Sequence, residues 1–503
     1  VEDSYIIAID IGTSSTKCAA LAKGSYQIAA SASYEYATHY PYKHWIEQNP
    51  EDWWTAVQKG LNTLCTKIDA EKVEAIGLSG NMSALVYLDK NFQVLRNSMM
   101  VADTRSEIIT NRLRETRKAD LEERTGNSPI EAFSLPKLLW LQEYEPEILA
   151  KTAYIMSPKD FIRFRLTGEL KSDRTDAGNT MLYNIHDQQW DRGLMEDFHI
   201  DPEKFLPLVS SMEEGGRISA AVAEAMRVKE GTPVAVGGAD IACSQAGTGS
   251  IQQGVLQVTL SSSAQIVVSL KEVDARLYGK VTHHPSVVGG EVYAMGTVFS
   301  GGFGAEWGYK LIYGSEDSTR IDKKRMTAIE KEIQDVPPGS NGLIFLPFLT
   351  GSGSPHFQSY ENGTFLGLRA SHTKAEMFHA VLEGISFHIY ESIELYQSID
   401  IPIETIVIGA GGSNNRAWCQ MISNICNLPV GKLGNHDASP LGAALLASVT
   451  AGWFDDIVTA SRTVVKTTEK YHPELVKTEK YRNLYGKYKE AALTLRELYK
   501  KWA

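Results

Sequence analysis

The feature that most constrains this chain is an order of elements that occurs twice. Tyr5-Ile6-Ile7-Ala8-Ile9 reads as a buried strand entering the turn Asp10-Ile11-Gly12-Thr13-Ser14-Ser15, and Thr16–Leu21 and Tyr26–Ala37 read as a second and third strand. A helix follows, with Asn49 as its cap, Pro50 in its first turn and Trp53, Val57, Leu61 and Leu64 on one face. Val73–Leu78 returns as a buried strand. The second half repeats this. Val255–Leu260, the polar turn Ser261-Ser262-Ser263 and Ala264–Leu270 form a hairpin, and Val292–Val298 supplies a third strand. That strand leads into Ser300-Gly301-Gly302 and a helix through Trp307, and later come a strand at Thr405–Ile408 and a helix from Asn415 to Asn427. At 503 residues the chain is too long for one core. The expectation is two related α/β domains, residues 1–253 and 254–503, facing each other across a cleft, the usual home of ligands.

Composition narrows the partners. A net charge of -11 argues against a nucleic-acid binder, so an anionic ligand needs local devices such as a metal ion, backbone N–H groups or helix ends. The five scattered cysteines contain no C-x-x-C pair and read as small buried hydrophobes of a reducing compartment. The run Ile6–Ile11 is broken by Asp10 and lacks a basic flank, so it does not read as a secretory signal. No stretch reaches the length of a membrane span, and cytoplasm is the expected location. A homodimer would be unsurprising, with no interface named by the sequence. Near the end, Tyr481, Leu484, Tyr485, Tyr488, Ala492, Leu495 and Tyr499 follow helical spacing and read as a packing face.

Four segments carry chemistry. In the first turn, Gly12 lets backbone approach a ligand, while Thr13, Ser14 and the turn N–H groups offer donors to phosphate. Asp10 is placed to hold a hydrated Mg2+ ion, and Lys17 adds positive charge. A plain hairpin is the alternative, but it does not ask for an acid, a glycine and four hydroxyls together. Ser261, Ser262 and Ser263 form the equivalent turn, so two hairpins would pinch one polyphosphate. In Val234-Ala235-Val236-Gly237-Gly238-Ala239-Asp240 a buried strand runs through glycines to an acid at a helix start. Asp240 reads equally as a general base and as an N-cap. In Gly409-Ala410-Gly411-Gly412-Ser413-Asn414-Asn415, bare backbone can lie against a base or phosphate, although the spacing is neither a Rossmann fingerprint nor a P-loop. Pro440–Ala444 reads as a tight structural helix packed against that loop.

This set resembles the FGGY carbohydrate kinases over nearly the whole chain. Gly363-Thr364-Phe365-Leu366-Gly367-Leu368, Arg369–Ala375 and Glu376–Glu383 are similar to the second diagnostic pattern of that family, and Lys137–Glu143 to the core of the first. The resemblance implies two actin-like (ribonuclease H-like) ATPase domains with a hinged cleft, ATP as co-substrate, Mg2+, and a small sugar as acceptor. It assigns Asp10, Thr13 and Lys17 to the first phosphate loop and Ser261–Ser263 to the second. It makes Asp240 the catalytic base and gives Gly411, Gly412, Ser413 and Asn415 to adenosine. Asn81, Met82, Asp103 and Asp240 fall at the sugar, with xylulose as first expectation and gluconate, ribulose or another polyol behind it. Asn81 and Ser83 stand where xylulokinases carry glutamine and histidine, and Ile241 where asparagine often follows the base. Gly351–Pro355 replaces Gly-Glu-Arg-x-Pro, and Ser261 replaces a glycine. An actin-like nucleotide switch without sugar chemistry is the reading from another class.

Overall fold

The computed structural model describes residues 4–314, 323–434 and 437–502. Its first half is built on β1 (Tyr5–Ile11), β2 (Ser15–Ala22), β3 (Ile28–Glu35), α1 (Pro50–Leu64) and β4 (Val73–Gly80). An insertion then carries α2 (Ser134–Tyr144) and α3 (Arg174–Ala177). The half closes with β5 (Glu214–Arg217), β6 (Pro233–Ala235), β7 (Gly238–Ala239) and α4 (Asp240–Thr248). The second half runs through β8 (Gly254–Leu260), β9 (Ala264–Leu270), β10 (Thr282–Pro285), β11 (Val292–Val298) and α5 (Gly302–Tyr313). It continues with α6 (Lys374–Gln397), β12 (Ile403–Gly409), α7 (Arg416–Cys426), β13 (Val430–Leu433), α8 (Ala438–Thr450), β14 (Thr467–Tyr471) and α9 (Leu475–Trp502).

Two mixed seven-stranded sheets result, ordered β5-β6-β4-β1-β2-β3 with β7 also on β4, and β10-β11-β9-β8-β12-β13-β14. Each has an antiparallel hairpin (β1–β2, β8–β9), a third strand on its outer side (β3, β11) and a parallel neighbour inside (β4, β12). The repeated order read from the sequence is therefore a repeated topology. Residues between β4 and β5 form a helical insertion with its own core, including Leu85, Tyr87, Leu121, Phe133, Leu138 and Leu141.

Local chemistry explains most boundaries. Asn49 caps α1 by accepting the Glu51 N–H, with Pro50 at its start. β3 begins at Ile28 rather than Tyr26, because Tyr26 sits at φ 53° and closes a turn onto Ala22. β1 runs through Asp10 and Ile11, beyond the expected end at Ile9, since both pair with β2 on one side and β4 on the other. Asn415 caps α7 and left-handed Asn427 ends it. The aromatic face of α9 is core: Tyr481, Tyr485, Tyr488 and Ala492 are buried.

Helix α8 corrects one expectation. Its main packing is on α4 and across β4 and β1, while its start meets the Gly409 loop across a shared cavity. Three glycines permit the approach: a Cβ at Gly442 would lie 1.8 Å from the Cys243 carbonyl oxygen, one at Gly77 1.9 Å from that of Ala443, and one at Gly247 2.0 Å from that of Ala438. A helix from the second half thus seals the face of the first sheet. All five cysteines are free thiols, four of them buried. Among the described residues, no helix is long and apolar enough to cross a membrane.

Candidate active site

The first turn is held from behind. Tyr36 donates its hydroxyl to the Gly12 carbonyl, and Gln48 donates its amide to the Thr13 carbonyl at 2.7 Å. The Gly12 N–H closes the hairpin on the Ser15 carbonyl at 3.1 Å, and Thr13 and Ser14 stand exposed at the tip. Asp10, inside β1, is only 8% exposed and accepts the Ser79 hydroxyl at 2.8 Å. Burial, opposed by that bond and by Lys17, pushes its carboxyl up to about 6. Lys17 leans the other way, its ammonium 2.6 Å from Asp437 at the start of α8.

The second turn is neutral. The Ser261 and Ser262 carbonyls accept the N–H groups of Gly302 and Phe303, the Ser261 hydroxyl donates to the Ser263 carbonyl, and Ser263 accepts the Gln265 amide. None of the three serines has positive φ, so the serine at 261 fits this turn without backbone strain. The fit depends on Gly302, where a Cβ would lie 2.3 Å from the Ser261 carbonyl oxygen. Gly351–Pro355, the other departure from the pattern, is pinned to the end of β11: Ser354 accepts the Thr297 N–H through its hydroxyl and donates its own N–H to the Thr297 carbonyl.

A cavity of about 180 Å³ joins the two halves. Asp10 and Lys17 line one side, Gln257, Thr259, Gly409 and Ala410 the other, and Asp437 and Ser439 close it. A wider opening of about 700 Å³, between β2–β3 and α8, adjoins it at Lys17 and Asp437. In the Gly409 loop, Gly411 faces open space. The side chains of Ser413 and Asn415 serve the loop itself, Ser413 donating to the Ala410 carbonyl and Asn415 accepting the Trp418 N–H. What the loop offers a ligand is bare backbone. Gln257, Thr259 and Ser439 escaped the sequence reading: the first two look like ordinary strand residues, and Ser439 precedes a segment read as structural.

Asp240 is the first residue of α4. The cap position belongs to Ala239, and among the described residues the Asp240 carboxylate accepts the adjacent Ile241 N–H at 2.8 Å, so it serves the helix start from the first turn rather than from the cap. Burial, with the Asp10 and Asp176 carboxylates nearby, pushes it up to about 7. The peptide before it is fixed: Thr175 accepts the Ala239 N–H at 2.8 Å and donates to Asp173 at 2.5 Å. Behind Asp173 lies buried Lys159, also paired with Asp160 and Asp176 at 2.7 and 3.1 Å and so kept charged. From the second half, Ser439 donates to the Asp240 carbonyl.

The residues expected at the sugar divide. Asn81 is buried, donates through its backbone and side chain to the Ile11 carbonyl, and leaves its side-chain oxygen unpartnered among the described residues. Met82 packs against the hydrophobic cluster that includes Ala239 and Tyr293. Asp103 is fully buried, and its carboxylate is taken up by the Ile46 N–H and by the Arg105 backbone and guanidinium. It fixes Arg105, whose guanidinium lies 3.7 Å over the Trp45 ring.

No group of three or more His, Cys, Asp or Glu able to hold a metal occurs among the described residues. Two acids with raised pKa values, Asp10 and Asp240, share one site, and Asp10 keeps an oxygen unused by Ser79. That donor set suits a hard cation taking one carboxylate with water and phosphate oxygens.

Comparison with known proteins gives this geometry its family. The model of the FGGY family of carbohydrate kinases, N-terminal domain, matches residues 5–247, and that of its C-terminal domain matches 262–451. The xylulose kinase of Bacillus subtilis (strain 168) is 32% identical over 490 residues, 96% of each chain. The solved gluconate kinase of Lactobacillus acidophilus superposes with TM-score 0.92 at 25% identity over all of both chains. The ligand-bound xylulose kinase of that organism gives TM-score 0.91 at 25% identity over 99% of this chain and 100% of its own. The fold is the duplicated actin-like one, and a nucleotide switch without sugar chemistry is set aside. The chain belongs to the FGGY family of carbohydrate kinases and is a sugar kinase, with ATP as its co-substrate.

Proposed function

We propose that this enzyme phosphorylates a neutral ketopentose, xylulose first, at a primary hydroxyl, with Asp240 as catalytic base. The observation that carries the reading is Asp240 itself: a buried acid at a helix start, pushed up to about 7 by burial and by Asp10, and joined through Ser439 to the cavity that runs from Asp10 to the Gly409 loop. A base whose pKa lies near the working pH combines availability with driving force. The charged groups that bear on it besides burial are Asp10 and Asp176, both acids. An aldonate carboxylate would meet that field unfavourably, which supports a neutral ketose over gluconate. The relatives named xylulose kinase support the same choice.

In this reading the two hairpins grip the ATP phosphates through Gly12, Thr13, Ser14 and Ser261–Ser263. Gly411 and Gly412 give the adenosine a bare backbone surface, with Ser413 and Asn415 holding that loop in shape. Asp10 would hold Mg2+, which would supply charge neutralisation to the phosphates. Lys17 exchanges Asp437 for phosphate when nucleotide enters. Asp240 accepts the proton of the sugar hydroxyl as its oxygen bonds to the γ-phosphorus and the bridging bond to ADP breaks in line. Asn81 and Met82 face the sugar, and Asp103 contributes by orienting Arg105 and Trp45. The domain division at Gln253 and a cytoplasmic location belong to the same reading.

The test is ADP release by a coupled assay with Mg-ATP over ketopentoses, aldonates and polyols. Strong stimulation by xylulose is the expected outcome. Preference for gluconate would overturn the choice of substrate, and silence across the panel would overturn the reading as a whole.

A further inference from the structure

Several buried polar atoms outside the assigned motifs lack a hydrogen-bond partner among the described residues, and three of them fall in one neighbourhood: the Tyr293 hydroxyl, His284 Nδ1 and Asn179 Oδ1. Their residues are 0%, 1% and 0% exposed. Each such group ordinarily carries a substantial desolvation cost, so three in one neighbourhood ask for a ligand.

They are contiguous. His284 and Tyr293 are cross-strand partners on β10 and β11, with ring centroids 5.0 Å apart. The other side of His284 meets Phe133 at 5.9 Å. The next residue, Ser134, sends its hydroxyl to the carbonyls of Ser83 and Asn179. Met82 packs in the same cluster as Tyr293, and Asp240 is the charged group that bears most strongly on the Tyr293 phenol. The three residues therefore lie in the neighbourhood of the Asn81–Ser83 loop and the base, yet two of them come from the second half of the chain.

This wall is built in advance. The His283 N–H donates to Asn127 Oδ1 at 2.8 Å, the Asn127 amide donates to the His283 carbonyl at 2.8 Å, and the His283 ring meets the Gly126 carbonyl at 2.8 Å, all buried. Gly178 supports β10 from the other side, where a Cβ would lie 2.1 Å from the Pro285 ring. Strand β10 is thus clamped to the first half, and the stacked pair is held in place against it.

We infer that Tyr293, His284 and Asn179 form a second wall of the sugar pocket and bind hydroxyl groups of the neutral sugar, fixing which polyol the enzyme accepts. The proposal rests on the sugar-kinase reading above. Its chemistry is that of polyol recognition: a phenol that donates or accepts, an imidazole kept neutral by burial whose Nε2 is engaged by the Thr282 hydroxyl, and an amide oxygen that only accepts. A site built to hydrogen-bond a hydroxyl discriminates sharply against an analogue lacking it, because its own groups are then left bare.

Tyr293→Phe is the decisive variant, since it removes one atom that has no hydrogen-bond partner among the described residues. The expected result is a rise of about tenfold in KM for the sugar, KM for ATP within about twofold of wild type, and a melting temperature unchanged or raised. A sugar analogue lacking the contacted hydroxyl should lose about the same factor with wild type and almost nothing with the variant. Calorimetric titration of D-xylulose without nucleotide should show the same weakening, and it separates this inference from turnover, which reports on the preceding reading. Unchanged sugar affinity in Tyr293→Phe, with every deoxy analogue discriminated as by wild type, would overturn the inference and leave the three atoms to buried water.

Discussion

The two hairpins occupy the same place in two copies of one topology and carry opposite chemistry. In the first, Asp10 pairs with Lys17 across the strands and with Ser79 on the parallel neighbour. In the second, Thr259 stands in that frame, paired with Gln265 and Gly409. The first copy thus places an acid and a cation at the cavity, Asp10 and Lys17, where the second places Thr259 and, from the same strand, Gln257. The loops beyond the parallel strands differ likewise: Asn81–Ser83 follows β4 with side-chain chemistry, whereas Ala410–Gly412 follows β12 with bare backbone. Duplication supplied the frame, and the charges of the two hairpins diverged, with Asp437 the charged group that the second half brings to the cavity. Two acids in each half would repel a polyphosphate, so a neutral second turn suits the same ligand.

That asymmetry sets an order of effects. Asp240→Asn should lower turnover by roughly two to four orders of magnitude while sugar binding, measured by calorimetry, survives. Asp10→Asn should cost about 10- to 100-fold in activity and raise the Mg2+ concentration needed for half-maximal rate. Thr259→Val, the matching change in the second copy, should stay within about fivefold of wild type in the same assay. Equal losses at Asp10 and Thr259 would break the comparison. Smaller still is the cross-cleft ion pair. Both partners are well exposed, so Asp437→Ala should change stability in chemical denaturation by about 0–1 kcal/mol.

Much of the frame was legible in the sequence because it rests on local signals. Apolar runs of strand length, Asn49 with Pro50, and the glycines before Asp240 each act within a few residues. The correction at α8 shows where such signals end. Pro440–Ala444 is visibly a close-packed helix, but its partners lie some two hundred and more residues away on α4 and β4, and nothing local names them. Strand β10 was missed for a related reason: Thr282-His283-His284-Pro285 has polar side chains and a proline, and becomes a strand by pairing with β11 and being gripped by Asn127. At the site, the acids stood out because an acid at the end of an apolar strand is unusual. Tyr293 did not, since a tyrosine in a buried strand is ordinary until its hydroxyl is found without a partner.

The raised carboxyl of Asp240 has a consequence for stability. An acid pushed up in the folded state costs stability where it is ionised, above about 7, and that cost fades as pH falls and the folded protein takes up the proton first. Asp240→Asn should therefore melt higher than wild type at pH 8, with the gap narrowing below pH 7 in thermal scans.

The most direct test of the account is the pH dependence of kcat/KM for the sugar, measured from pH 5 to 9 for wild type and Asp240→Asn side by side. Wild type should lose activity as pH falls, with a midpoint near 7 that reports ionisation of Asp240 in the free enzyme, and the residual activity of the variant should lack that limb. An acid limb that persists unchanged in the variant would show that another group is the base.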